Sequence, residues 1–331
     1  MSKNIETKEK FKTMIGGQAL IEGIMMRGPK LDAIVTRSGD DVHVETTPRK
    51  IRPKGSVATW PLIRGAVNFF DAQVTGVKAL MRSADLSPEE AQEEQSKLDM
   101  WLEKKMGQTK FQNFLVGTAV ALGLGMSIVL FFLVPMLVGS IFSHWVNNNL
   151  LQNLLEGLVR IVIFVAYMLL VSQMGEMKRV FAYHGAEHKT IRCYEAGLEL
   201  TVENVRKQTR MHPRCGTSFL LVVMILSILV FSAASSLLLS VVPELAAINN
   251  TFVYKLIMIG FKLLLLPLVV AISYEINRLV GRYDNAITRL LTAPGMWFQN
   301  FTTNEPDDEM IEVGIAALQA VLPENEGEDK W

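Results

Sequence analysis

The stretch FLVGTAVALGLGMSIVLFFLVPMLVGS, residues 114 to 140, contains no charged side chain, and its reading decides the class of fold. A helix needs about 20 apolar residues to cross roughly 30 Å of hydrocarbon. Inside hydrocarbon, only a helix or a closed barrel satisfies its own backbone polar groups. Three further apolar runs reach the same length, at 154 to 174, 216 to 242 and 253 to 274. Four transmembrane helices are therefore predicted. Half of the 331 residues are hydrophobic and the mean hydropathy is +0.25. That is high for a soluble enzyme and low for a chain that lies wholly in a membrane, so polar regions should accompany the bundle.

Lysine and arginine placement predicts an orientation. The connection from 175 to 215 carries Lys178, Arg179, Lys189, Arg192, Arg206, Lys207, Arg210 and Arg214, whereas SHWVNNNLLQN and PELAAINN carry neither residue type. The positive-inside rule then puts the long middle connection and both termini in the cytoplasm. The opening MSKNIETKEKFKT lacks the apolar core and cleavage site of a signal peptide, which agrees with a cytoplasmic amino terminus. Formal net charge is zero, with acidic stretches at 89 to 94 and 305 to 309 offsetting basic juxtamembrane segments. This pattern argues against nucleic acid as a partner. The lipid bilayer is the expected partner, with its anionic headgroups against the basic inner face; a membrane-protein partner or a second copy of the chain is compatible with it. The two cysteines, Cys193 and Cys215, fall in the cytoplasmic connection, where thiols stay reduced and a thiolate ligand is available.

The fold class that results is mostly α and polytopic, a four-helix membrane bundle with a small N-terminal β element and a cytoplasmic helical connection between helices 2 and 3. Residues 1–59 form a glycine-rich β-hairpin element, because AIVTR and VHVETT alternate around the break SGDD. Residues 60–84 read as an amphipathic helix whose stripe of Ile63, Val67, Phe70, Val74, Val77 and Met81 suits packing on the bundle or lying in the headgroup region, the first being favoured because its polar face is mixed in sign. Residues 85–112 form an acidic spacer and juxtamembrane helix, 113–177 transmembrane helices 1 and 2, 178–215 the cytoplasmic connection and 216–282 helices 3 and 4. In 283–331, AITRLLTAPGMWFQNFT is broken by Ala-Pro-Gly and reads as an interfacial or re-entrant element. An amphipathic tail from 307 to 322 follows, able to close over the cytoplasmic part.

The chemistry concentrates in YHGAEHKTIRCYEAG, residues 183 to 197. Residues four apart on a helix share a face, so His184 and His188 can present two imidazoles to one divalent cation. Glu187 completes an H-x-x-E-H pattern, the inverted zincin arrangement in which a glutamate acts as general base on water. Glu195 lies two turns beyond His188 on the same stripe, as a second carboxylate or alternative ligand. In RMHPRCGTS, Pro213 interrupts any helix and frees His212 and Cys215 to point back, and either can supply a third ligand. Zinc is the expected metal. The bland alternative is a solvated cytoplasmic helix with His212 and Cys215 as packing residues.

Three blocks, GGQALIEGIMMRGP, YHGAEHKTIRCYE and HPRCGTSF, resemble the signature blocks of the YqhQ-like bacterial family, over roughly residues 14 to 300. The resemblance implies bacterial origin, residence in the inner membrane and a metal-dependent membrane protein. By position it points to His184, Glu187, His188, His212 and Cys215.

Glu22 and Arg27, in the first block, are candidates to line the site, although that block lacks a nucleotide-binding glycine pattern and its glycines suit tight turns. Lys262 interrupts the fourth crossing, which makes it a functional candidate by position, but a structural role, snorkelling or pairing across helices, is favoured. Glu275 is a candidate late carboxylate ligand, or else the partner of Arg278 or Arg282. The leading expectation is a metal-dependent hydrolase acting on a membrane-associated peptide or lipid. A scaffold or membrane-insertion factor stapled by a structural metal is the second, and a transporter the third.

Overall fold

The computed structural model describes residues 10–53, 55–86, 97–142, 149–325 and 327–330. The acidic run 89 to 94 and most of the connection SHWVNNNLLQN lie outside the described residues. The chain divides into two compact units, one of 1–91, 168–226 and 267–331, the other of 92–167 and 227–266.

The first unit is built on a four-stranded antiparallel meander, β1 (Gly16–Leu20), β2 (Gly23–Arg27), β3 (Leu31–Ser38) and β4 (Asp41–Pro48). The β3–β4 hairpin forms where the alternation predicts it, with Ser38 opposite Asp41 and Gly39 at φ +60° in the turn. The glycine-rich block adds two further strands, so the expected hairpin is half of the sheet. These strands escape alternation because β2 is buried on both faces. Ile24 and Met26 pack on one side against Tyr183, Ala186 and Met310, while Met25 packs on the other against Ala79. A strand covered on both faces reads as a continuous apolar run.

Three helices cover the sheet. The helix α1 (Ile63–Leu86) lies on the Met25 side. Its buried positions are Gly65, Gly76, Ala79 and Ser83, while Ile63, Phe70, Val74 and Val77 are exposed. Four of the six stripe residues are thus left uncovered by the described residues, Val67 and Met81 being half-buried, a correction to the favoured packing with a steric cause: a side chain at Gly65 would meet Ala271 and Tyr274 at 2.9 Å, so only the small-residue face can approach.

Beyond α2 (Lys97–Met106), the second unit holds α3 (Gln108–Ile128), α4 (Val134–Phe142) and much of α5 (Asn149–Val171). A π turn at Val129–Leu133 joins α3 to α4. Pro135 has no N–H for the carbonyl of Phe131, and Arg160 Nε donates to that oxygen at 2.7 Å. Lys262 Nζ donates to Glu156 at 2.6 Å, so of the two structural alternatives it takes the pairing across helices.

The remaining helices are α6 (Gly175–Glu195), α7 (Val202–Arg206), α8 (Gly216–Val241), α9 (Thr251–Arg282), α10 (Ala286–Thr302) and α11 (Asp308–Gln319). Among the described residues, four helical segments are long and apolar enough to cross a membrane: Phe114–Phe142, Leu151–Val171, Gly216–Val241 and Phe252–Arg282. Residues 286–302, expected to be broken at Ala-Pro-Gly, form one helix with Pro294 inside it. A capping box at Asn285 and Thr288 starts this helix, and Gly295 lets it press on Ser218, 2.5 Å from where a β-carbon would stand. The amphipathic tail forms α11, which packs Met310, Val313, Ala317 and Leu318 on the sheet and α6.

Candidate metal centre

The centre is built on α6, which is buried from Phe181 to Glu195 except at its His184, Arg192 and Tyr194 positions. Small residues let neighbours close on it. A side chain at Gly185 would fall 2.0 Å from the Asn304 carbonyl, and one at Gly314 would fall 2.7 Å from Thr190 Oγ1.

His184 and His188 project together, with ring centroids 4.3 Å apart. Each ring is fixed through Nδ1: His184 faces the Thr302 carbonyl at 2.8 Å, and His188 the Arg210 carbonyl at 2.6 Å. A carbonyl only accepts, so both Nδ1 atoms carry a proton and both Nε2 atoms point inward. His184 Nε2 lies 3.1 Å from Cys215 Sγ. His188 Nε2 is buried with no hydrogen-bond partner. Donor atoms of His184, His188 and Cys215 all lie within 4.8 Å of one another. Two inward imidazole nitrogens and a thiolate are a donor set that suits zinc. A buried nitrogen with nothing to bond is what a ligand atom without its ion looks like. The residues therefore fit the metal.

Glu187 lies between these ligands and β1. Its Oε1 accepts from the Gly17 backbone N–H at 2.9 Å, while Oε2 is buried and unpartnered. A β-carbon at position 17 would stand 2.6 Å from the Met25 carbonyl and 3.0 Å from Glu187 Cδ, so the strand can approach the acid only with glycine there. Burial raises the Glu187 pKa, and the imidazoles of His184 and His188 hold it back. A carboxyl tuned upward in a closed pocket suits a base that must also release its proton.

Cys215 sits well below the ordinary thiol range: burial pushes it up, but His184 and His188 outweigh that. Burial likewise pulls His184 down, and the Cys215 thiolate outweighs it, lifting His184 to about 9.

The other sequence-predicted residues divide. His212 stands beside His188, centroids 5.5 Å apart, but its Nε2 faces Glu195 at 3.3 Å. Burial, then Arg214, lowers its pKa well below the ordinary value, so the ring is neutral at pH 7. Glu195 accepts from Arg214 and from the Thr13 N–H, making it a buried tie between α6, the loop before α8 and the start of β1. Neither joins the three-residue cluster. Arg27 lines the cavity beside the cluster. Glu22 instead binds Arg179 at 2.5 Å and the Tyr183 hydroxyl, which holds its backbone at φ +46°. Glu275 pairs with Arg64 of α1 rather than Arg278 or Arg282, because α1 crosses α9 at Gly65. Gly17, Asn68, Arg214 and Tyr274 also line the pocket and were not singled out from sequence. Only the glycine pair at 16 and 17 carried any signal.

The fold defines a class: a mostly helical chain with four helices fit to cross a membrane, a small antiparallel sheet and a His-His-Cys cluster behind it. Residues 60–324 match the family described as "Protein of unknown function (DUF1385)", and the chain belongs to that family. It is 32% identical over 326 residues to "Uncharacterized protein YqhQ" of Bacillus subtilis (strain 168), covering 96% of this chain and 94% of that one. No solved structure matches.

Proposed function

We propose that the protein is a zinc-dependent hydrolase of the bacterial inner membrane, acting on a membrane-associated substrate from the cytoplasmic face. The observation that carries the reading is the pair of buried, unpartnered atoms, His188 Nε2 and Glu187 Oε2, beside a thiol and a second imidazole. His184, His188 and Cys215 would hold the metal. Three protein ligands leave a position open for water or substrate, as catalytic zinc sites do, whereas structural sites are closed by four. The bound cation would supply Lewis acidity, polarising the scissile group and acidifying water. Glu187 Oε2 is placed to take a proton from water, with Oε1 anchored on Gly17 so that the free oxygen keeps one orientation. The Thr302 and Arg210 carbonyls fix both imidazole tautomers. Residence in the membrane is supported by the four apolar helices, along which Leu122, Leu170 and Leu264 are exposed. The orientation rests on the Lys and Arg asymmetry.

Glu187→Gln tests the catalytic role. Cells carrying this chain in place of the wild type should reproduce the phenotype of a deletion, while the purified variant keeps wild-type metal content. A wild-type phenotype would instead favour a structural staple.

A further inference from the structure

Three cavities in the first unit share walls. The first, of about 370 Å³, is lined by Glu187, His188 and Cys215, and by the charged groups Arg27, Arg49, Asp71 and Arg214. The second, of about 560 Å³, shares Arg49, Asn68 and Tyr274 with the first. Its cations are Arg49, Lys50, Arg52, Arg64 and Arg278, and no carboxylate lines it. Glu275 answers Arg64, and Asp71 lies 3.8 Å from Arg52. Arg49, Lys50 and Arg278 make no salt bridge among the described residues, and burial with the nearby Arg27 lowers the Arg49 pKa, the mark of a positive charge short of counter-ions. The third cavity, of about 540 Å³, shares Glu187, Arg214 and Cys215 with the first. Its walls include Phe69, Ala72, Val180, Phe181, Phe219 and Leu220. Phe219 and Leu220 belong to the first turns of a candidate span, and Leu220 is exposed.

Basic chamber, metal pocket and apolar cleft thus adjoin, and all three meet at Asn68 and Tyr274. We infer that the site takes an anionic amphiphile, a lipid whose phosphate-bearing head lies among Arg49, Lys50 and Arg278 and whose acyl chain lies in the Phe69–Phe219 cleft, presenting the linkage between them at Glu187. The binding stands on the cavities alone; that the lipid is a substrate rests on the hydrolase reading. Hydrolysis there divides an ester into a carboxylic acid and an alcohol, water supplying the hydroxyl to one and the proton to the other. A peptide is the weaker fit. The exposed wall of the third cavity is mainly apolar, and the cations that make no salt bridge among the described residues, Arg49, Lys50 and Arg278, all line the second.

The test uses the full chain with Glu187→Gln in a neutral detergent, so that binding is read without turnover. Dioctanoylphosphatidylglycerol should bind at least about tenfold more tightly than dioctanoylphosphatidylcholine, whose phosphate is the same but whose choline cation would lie among Arg49, Lys50 and Arg278, a like-charge penalty of about the size of one charge-assisted contact. Inorganic phosphate should bind far more weakly than either anionic lipid or its dihexanoyl homologue. Lys50→Gln with Arg278→Gln should remove the headgroup preference without changing metal content. Phe219→Ala should reduce the gain from the longer chain and leave the headgroup preference in place. Equal affinity for the two lipids, phosphate binding as tightly as the lipid, or preferential binding of an acidic decapeptide would each overturn the inference. Metal content read on the same samples separates the two claims. Lipid selectivity without metal contradicts the hydrolase and leaves the ligand, whereas metal without selectivity contradicts the ligand and leaves the hydrolase.

Discussion

The backbone N–H of Gly17 donates to Glu187 Oε1 at 2.9 Å, so the first strand orients an acid 170 residues further along the chain. The contact requires glycine, because a β-carbon there would lie 2.6 Å from the Met25 carbonyl. Gly17→Ala should cost about 1 to 3 kcal/mol by overpacking. Thermal unfolding in detergent should show that loss. A Glu187-dependent activity should fall further than stability explains, with metal content retained. An unshifted melting temperature would contradict the packing described.

Metal affinity should depend on pH with a defined sign. His184 is held up to about 9 against burial by the Cys215 thiolate, so in the metal-free protein it carries an extra proton at neutral pH. Cys215 has already lost its proton. A cation must therefore displace the His184 proton, and apparent zinc affinity should rise about tenfold per pH unit from about pH 6 to 8. The gain should flatten as the pH passes about 9. Competition against a chromophoric chelator across that range measures it; an affinity independent of pH would contradict the pairing.

His212→Ala should retain the metal. Its Nε2 is turned to Glu195, and the three donors that converge do not include it. The variant should still lower stability, because Glu195 and Arg214 lose a buried neighbour. Loss of metal equal to that of Cys215→Ala would make His212 a ligand.

In the second unit, Lys262→Met strips Glu156 of a buried partner and should cost about 3 to 5 kcal/mol. Pairing it with Glu156→Leu should recover most of the loss, since an apolar pair of similar volume replaces the ions. Unfolding of the single and double variants in detergent distinguishes this from two independent effects, in which the losses would add.

The four long helices were legible because length and hydropathy alone determine whether a helix can span, and the closeness of His184 and His188 because an i,i+4 pair shares a face by geometry. The third member of the cluster was not: His212 and Cys215 sit three residues apart in an irregular loop, and only the Glu195–Arg214 tie turns one ring away. The second strand was hidden by burial on both faces. The exposed stripe of α1 was misassigned because hydrophobic periodicity identifies a face without saying what covers it, and Gly65 and Gly76 packed inward instead. Gly17 could not be tied to Glu187 from sequence, since nothing local links a strand to a helix so far along.

The central claim is that His184, His188 and Cys215 hold an ion. Elemental analysis of detergent-purified protein, loaded with zinc and freed of excess, tests it most directly when wild type and His188→Ala are measured together. The account predicts about one zinc per wild-type chain and almost none in the variant, with both chains folded. A wild type that holds no metal, or a variant that holds as much, would contradict it.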